Sequence, residues 1–235
     1  MTEDKTLPWK IATGVFALLF LATLLNTGLF NGATVTGTAI QGQTEIDMTI
    51  YSDDVVKGSD SAPVTVILYS DPSCPFCAAA AGGTEMVAYM NQRSAGYEAA
   101  VPGIIKNYVD KGKVKFVYRF FPGHGSGVEA MKMMLCAEEQ GKFWEVHDDF
   151  YNNQELMESG NVEGLANIVK KYVTDGVAFD ACRASNKYDA KMAADTQRGV
   201  EAGIQGTPAF LVNGAEVSGA QPYSALKRVI DEALA

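Results

Sequence analysis

With 235 residues, 47% of them hydrophobic and 20% charged, the chain is long enough for one substantial domain, or one domain carrying an insertion. Lys and Arg number 19 against 28 Asp and Glu, a net charge of −9 with no basic cluster, which argues against a nucleic-acid-binding face. Only four cysteines occur, Cys74, Cys77, Cys136 and Cys182, and one close pair plus one distant pair fits an oxidising compartment.

From Ile11 to Thr44 no residue is charged, and Ile11–Phe30 is a mostly apolar run. Helical geometry stretches such a run over about 30 Å, the thickness of a hydrocarbon layer. Lys5 and Lys10 precede it and the next cation is Lys57, so the positive-inside rule places the bulk of the chain outside the cytoplasm. Residues 1–30 are therefore read as a single-pass anchor. A cleaved signal peptide is the rival reading, with an unusually long apolar core and small-residue sites only at Ala33 or Ala39. Residues 31–44, small, uncharged and rich in Gly and Thr, have the composition of a flexible linker.

The folded domain is expected over 45–235. Ile46, Met48 and Ile50 alternate with polar neighbours and predict a half-buried strand, and Val64–Ser70 predicts a buried one. Cys74-Pro75-Phe76-Cys77 follows, and then four alanines that start a helix, with proline at its first position. Gly82-Gly83 breaks or kinks that helix. A second helical stretch covers 98–110, and 113–121 is a strand. Helices are expected over 127–140, 142–152, 161–173 and 186–202, with a short turn around 177–184. Ala209–Val212 and Ala215–Ser218 flank Asn213-Gly214, the strongest two-residue hairpin signal, and a helix over 222–234 closes the chain. The order describes an α/β sheet interrupted by a helical block.

Two cysteines at the first turn of a helix leaving a buried strand form a reactive arrangement. The helix dipole and unpaired N–H groups favour a thiolate and bring Cys74 to a pKa of about 7, with hydrogen bonds able to lower it further. Cys74, nearer the terminus and expected to be the more exposed, is the nucleophile; Cys77 is the resolving thiol. Far downstream, Gly206-Thr207-Pro208 precedes a strand, where proline marks either an ordinary start or a cis bond.

Taken together, strand, CPFC, helix, helical block, Thr-Pro, hairpin and helix resemble the thioredoxin superfamily. More closely, the chain resembles its DsbA-like thiol–disulfide oxidoreductases. The likeness is carried by 57–66, Tyr69–Cys77, Lys113–Phe121, Cys136–His147 and Gly203–Gly214. Residues 82–104, read as an insertion in the first helix, and Pro72 depart from the family pattern. The resemblance implies a thioredoxin-like fold with an all-helical insertion at about 122–203, and a cis bond at Thr207–Pro208 beside the CxxC. It also implies catalysis by Cys74, Cys77, Thr207 and Pro208 without a prosthetic group. The implied partners are cysteine-containing protein substrates and a membrane oxidase that restores the disulfide.

Other residues have plainer readings. Asp71 stands where relatives carry an acid, and is either a solvated loop aspartate or a proton relay. His124, between glycines, reads as a turn, since the lysine of a phosphate loop is missing. His147 and Met131, Met133 and Met134 read as packing. Cys136 and Cys182 are expected to form a structural disulfide; a four-cysteine zinc site with the CxxC is disfavoured by the spacing, so no metal is expected. Closing that loop stabilises by roughly 4 kcal/mol in the loop-entropy model. The expected activity is extracytoplasmic dithiol oxidation. Isomerase or reductase chemistry at the same cysteines, or a non-catalytic module binding unfolded chains or metal, are the alternatives.

Overall fold

The computed structural model describes residues 46–123 and 127–235. The anchor expected at 1–30, the linker at 31–44 and His124 lie outside the described residues, among which no helix is long and apolar enough to cross a membrane.

Among the described residues five strands form one sheet: β1 (Val55–Lys57), β2 (Val64–Ser70), β3 (Val114–Phe120), β4 (Ala209–Val212) and β5 (Ala215–Ser218), in the order β1-β3-β2-β4-β5. Only β2 and β3 are parallel; the other pairs are antiparallel. Between β2 and β3 run α1 (Pro75–Ala81), α2 (Thr84–Arg93) and α3 (Ala100–Ile104), the last continuing as one π-helical turn, Ile105–Val109. The helical block follows β3: α4 (Gly127–Glu138), α5 (Phe143–Tyr151), α6 (Gln154–Glu158), α7 (Val162–Val169), α8 (Gly176–Arg183) and α9 (Asp189–Glu201). The hairpin β4–β5 and α10 (Tyr223–Ala233) end the chain.

The central strands are apolar on both faces, as buried strands must be. In β2, Val64, Val66 and Leu68 enter the main core with Phe116, Tyr118, Phe210 and Val212, while Ile67 and Tyr69 join Val117, Ala209 and Leu211 on the opposite face. Helices α4, α5, α7 and α10 cover the first face with residues such as Met131, Phe143, Phe150, Leu165 and Leu226. The three methionines expected as filler, Met131, Met133 and Met134, are all buried there. Asn213 (φ 45°) and Gly214 (φ 91°) supply the two left-handed residues that a tight hairpin needs.

Two expectations are corrected. Residues 46–50 are not a strand: Ile46, Met48 and Ile50 do point inward, against the second face, but no ladder forms, and β1 lies further along at Val55–Lys57. The turn expected at 177–184 is the helix α8, whose start is capped by the Asp175 carboxylate accepting from the Ala178 N–H. That helix brings Cys182 to Cys136 on α4, and the two are joined as a disulfide with Cα atoms 5.8 Å apart.

The segment around residues 46–54 covers a buried cation. Arg119 is 1% exposed and projects from β3 on the second face, where its guanidinium donates to both Asp54 carboxylate oxygens, the Thr49 carbonyl and the Tyr69 hydroxyl. Removing one partner from such a pair strands the other charge, which typically costs about 3–5 kcal/mol. Asp54→Ala is accordingly expected to lower the urea-unfolding free energy by about that amount. A surface substitution such as Asp60→Ala, whose fully exposed carboxylate pairs with Lys115, should change it far less.

Candidate active site

The site assembles at the carboxyl end of β2. Its last residue, Ser70, is followed by Asp71, a turn, and Cys74, which is the N-cap of α1 in extended conformation with Pro75 at the first helical position. Proline costs nothing there because the first amides of a helix have no intrahelical partner. The alanines continue the helix until Gly82, whose φ of 100° ends it with its N–H on the Ala78 and Ala79 carbonyls. Glycine is also required at the next position by close approach: a Cβ on Gly83 would lie 2.3 Å from the Tyr151 carbonyl oxygen.

From the other side comes the loop before β4. Register pairs Tyr69 with Ala209, so Thr207 and Pro208 arrive beside the turn that carries Cys74. The Thr207–Pro208 bond is cis, and the Cys74 thiol donates to the Thr207 carbonyl at 3.5 Å. The site thus brings together Cys74, Cys77, Thr207, Pro208 and Asp71. Cys136 and Cys182 serve the helical block instead.

The two thiols, free in this structure, differ in charge environment rather than in exposure. Cys74 is 3% and Cys77 1% exposed, so the greater exposure expected of Cys74 is not seen; both pack with Ala78 and Tyr151. The Cys77 thiol, hydrogen-bonding to the Cys74 sulfur, is the main influence lowering the Cys74 pKa, to about 6. Burial opposes this, and the Cys77 and Phe76 N–H groups and the Thr207 side chain assist it. The neutral Cys74 makes no capping hydrogen bond, so these donors act on the thiolate. Burial pushes Cys77 well above the ordinary thiol range, and its bond to Cys74 adds to the rise. One proton is thus held between two sulfurs, on Cys77.

Asp71 is not the solvated loop aspartate that its position suggests: it is fully buried. Its Oδ1 accepts from the Ser73 N–H and hydroxyl, both at 2.8 Å, and its Oδ2 accepts from the Gly123 N–H at 2.6 Å. Its own N–H donates to Cys77 Sγ at 3.5 Å. A Cβ on Gly127, the first residue of α4, would sit 2.0 Å from Oδ1, so glycine is required where the carboxylate meets that helix. Pro72 offers its carbonyl to Gln154 Nε2 at 3.0 Å, tying the turn to the helical block.

Several site residues are missed by reading the sequence. Ser70, Tyr118 and Tyr151 form a buried hydroxyl chain beneath Cys77, with oxygens 2.8 and 2.9 Å apart. Tyr151 does carry a signal, falling one turn after His147 in the aromatic stripe of α5, though that stripe reads as packing alone. His147 itself is buried among Tyr118, Phe143, Trp144 and Tyr151, as its packing role requires. No grouping with the CxxC resembles a zinc site among the described residues, where the one candidate cluster is Cys136, Glu139 and Cys182, two of them already in a disulfide.

A low-pKa cysteine at a helix N-terminus, a second, buried thiol one turn on and a cis-proline loop beside them form a thiol–disulfide exchange centre on a thioredoxin-like sheet. A thioredoxin family model matches residues 51–232, and the chain belongs to that family. It is 29% identical to a probable disulfide bond formation protein D of Bacillus anthracis, over 80% of this chain and 82% of that one. It also resembles part of a Na(+)/H(+) antiporter, NhaA 3, of Salinispora tropica, at 28% identity over 84% of this chain; the chain spans only 28% of that relative's length. Among solved structures, oxidised BdbD of Bacillus subtilis shares the fold at a TM-score of 0.60 and 24% identity, over 77% of this chain and 93% of that one. The alpha-DsbA1 of Wolbachia pipientis does so at 0.61 and 21%, over 79% and 92%.

Because the Cys74 pKa is lowered, its thiolate is favoured, and the stabilisation this gives the folded dithiol grows as pH rises from about 6 towards the unperturbed thiol value of 9.0, and is lost below about 6. Alkylation of Cys74 by iodoacetamide should therefore reach half its maximal rate near pH 6, as followed by mass spectrometry. A midpoint near that of an ordinary thiol would contradict the charge environment described.

Proposed function

We propose that this chain is a membrane-anchored, extracytoplasmic thiol–disulfide oxidoreductase that works as a dithiol oxidase on cysteine-containing proteins. The chain is a thiol–disulfide oxidoreductase of DsbA-like type. A substrate thiolate attacks Cys74 in the Cys74–Cys77 disulfide and forms a mixed disulfide, with Cys77 leaving. The substrate's second thiolate then attacks its own mixed-disulfide sulfur, expelling Cys74. Two electrons and two protons pass from the substrate dithiol to the enzyme dithiol. A disulfide-carrying oxidase in the membrane then restores the Cys74–Cys77 bond.

What supports the direction is the position of Cys74 at the helix N-terminus among donors that favour its thiolate: the Cys77 thiol, the Cys77 and Phe76 N–H groups and the Thr207 side chain. Stabilising a thiolate that exists only after reduction stabilises the reduced enzyme, and so makes its disulfide a stronger oxidant. The same cysteines support reductase or isomerase chemistry, but a stabilised dithiol favours giving up the disulfide. Pro208 and Thr207 present the extended edge against which a substrate segment lies, and the half-exposed Phe76 flanks the reactive sulfur. Asp71, with its N–H on Cys77 and its carboxylate buried nearby, is the candidate proton relay.

Oxidised protein is expected to introduce disulfides into a reduced, unfolded substrate, mole for mole, without oxidant. Cys77→Ser should accumulate mixed disulfides with substrate proteins on non-reducing gels, and Cys74→Ser none; the reverse pattern would invert the two roles. Insulin reduction exceeding dithiol oxidation would identify a reductase.

The anchoring half of the proposal rests on the uncharged apolar run Ile11–Phe30 behind Lys5 and Lys10. The full chain should stay in the membrane pellet after alkaline carbonate washing, with the region beyond residue 45 open to protease from the outer side. A mature N-terminus near Thr34 or Ile40 would establish a cleaved leader instead.

A further inference from the structure

We propose that Ser70, Tyr151 and Tyr118 form a preorganised chain of hydroxyl donors that stabilises the Cys77 sulfur each time it becomes a thiolate during exchange. The inference rests on the oxidoreductase reading and deepens it.

The three residues lie on different elements, β2, α5 and β3, and all are 2% exposed or less. Ser70 Oγ is 2.8 Å from Tyr151 Oη, which is 2.9 Å from Tyr118 Oη. Tyr151 packs with Cys74, Cys77 and Ala78; the Asp71 N–H lies 3.5 Å from the Cys77 sulfur, and the Ser70 side chain, hydrogen-bonded to Tyr151, favours its thiolate as well.

The donor inventory fixes the polarity of this chain. A thiolate only accepts, so Ser70 must donate its single proton to Cys77. The Ser70 oxygen is then left to accept, from Tyr151, and the Tyr151 oxygen to accept, from Tyr118. Each bond polarises the next towards the sulfur, and in a dry interior such bonds are stronger than in water. Burial raises both tyrosines well above the ordinary phenol range, so they remain donors throughout.

Cys77 is the leaving group in one half-reaction and the nucleophile in the other. When a substrate thiolate bonds Cys74 Sγ, the Cys74–Cys77 bond breaks and its electron pair moves to Cys77 Sγ. During reoxidation the Cys77 thiolate attacks Cys74 Sγ in a mixed disulfide and expels the partner's thiolate. Donors already aimed at that charge lower both barriers without reorganising.

The test compares Ser70→Ala, Tyr151→Phe and Tyr118→Phe with wild type in two single-turnover reactions. Opening of the oxidised protein by dithiothreitol, in which Cys77 leaves, should slow by about tenfold in Ser70→Ala, the size of one hydrogen bond to a charged group. It should slow by about threefold in Tyr151→Phe and least in Tyr118→Phe, following distance along the chain. Attack of the reduced protein on dithiodipyridine, made by Cys74 alone, should stay within about twofold of wild type in all three. Equal slowing of both reactions, or slowing that follows loss of thermal stability instead of chain order, would show a structural role and overturn the proposal.

A second measurement does not depend on protein substrates. In the Cys74→Ser background, the alkylation midpoint of Cys77 should move to still higher pH when Ser70→Ala is added. An unchanged midpoint overturns the donor chain. A protein inert towards protein dithiols whose Cys77 midpoint still depends on Ser70 would remove the functional reading and keep the chain.

Discussion

The pairing of β2 with both of its neighbours is the constraint on which everything reactive depends. Its seven residues register in parallel with Val114–Phe120, and its second half registers antiparallel with Ala209–Val212. Side chains alternate between two buried faces, so a slip of one residue would exchange Val66 and Leu68 with Ile67 and Tyr69, and would turn the Tyr69 hydroxyl away from Arg119. A strand pinned this firmly delivers three things to one point: the helix that begins at Cys74, the loop before Ala209, and the end of β3 with Gly123, whose N–H reaches Asp71. Functional groups gather at the carboxyl ends of strands for the same reason in open α/β sheets generally.

Given that frame, the chemistry reduces to where one proton resides. Two thiols in contact cannot both ionise cheaply, and their titrations belong to the pair. Here the asymmetry is built in: Cys74 faces helix amides and Thr207, while Cys77 lies a turn deeper, where burial keeps it protonated. Sequence reading placed Cys74 near pKa 7 on the helix terminus alone. The lower value has another main source, the Cys77 thiol itself, so the CxxC spacing matters as much as the helix.

Features written locally were legible in the chain. Proline after Cys74, the alanine run, Gly82 at the helix end and Asn213-Gly214 in the hairpin each act through their own backbone, and each element stands where those signals put it. The Gly-Thr-Pro turn needed the family resemblance before its cis geometry could be expected. Residues 46–50 misled because an extended segment packed on a sheet face shows the same alternation as a strand within it; only hydrogen bonding separates the two. Asp71 misled more deeply. Nothing within a few residues of it announces burial, because the groups that hold it include Gly123 and the space left by Gly127, more than fifty positions away. Ser70 and Tyr151 are 81 residues apart, and no periodicity links them.

That last pairing changes what the helical block is for. It is held to the redox turn at several points: Tyr151 beneath the cysteines, Gln154 on the Pro72 carbonyl, and Asn152 accepting from the Thr84 N–H and hydroxyl at the start of α2. Gly83 lets the α1–α2 break come within contact of the Tyr151 backbone. A sheet and CxxC alone would leave the Ser70 hydroxyl without its Tyr151 partner and the floor of the site without α5. The block therefore supplies part of the interior on which Cys77 rests, and its attachment at Pro72 and Thr84 fixes the turn before Cys74 and the helix after Cys77. A shift of α5 would therefore alter the surroundings of the buried Cys77 sulfur through Tyr151.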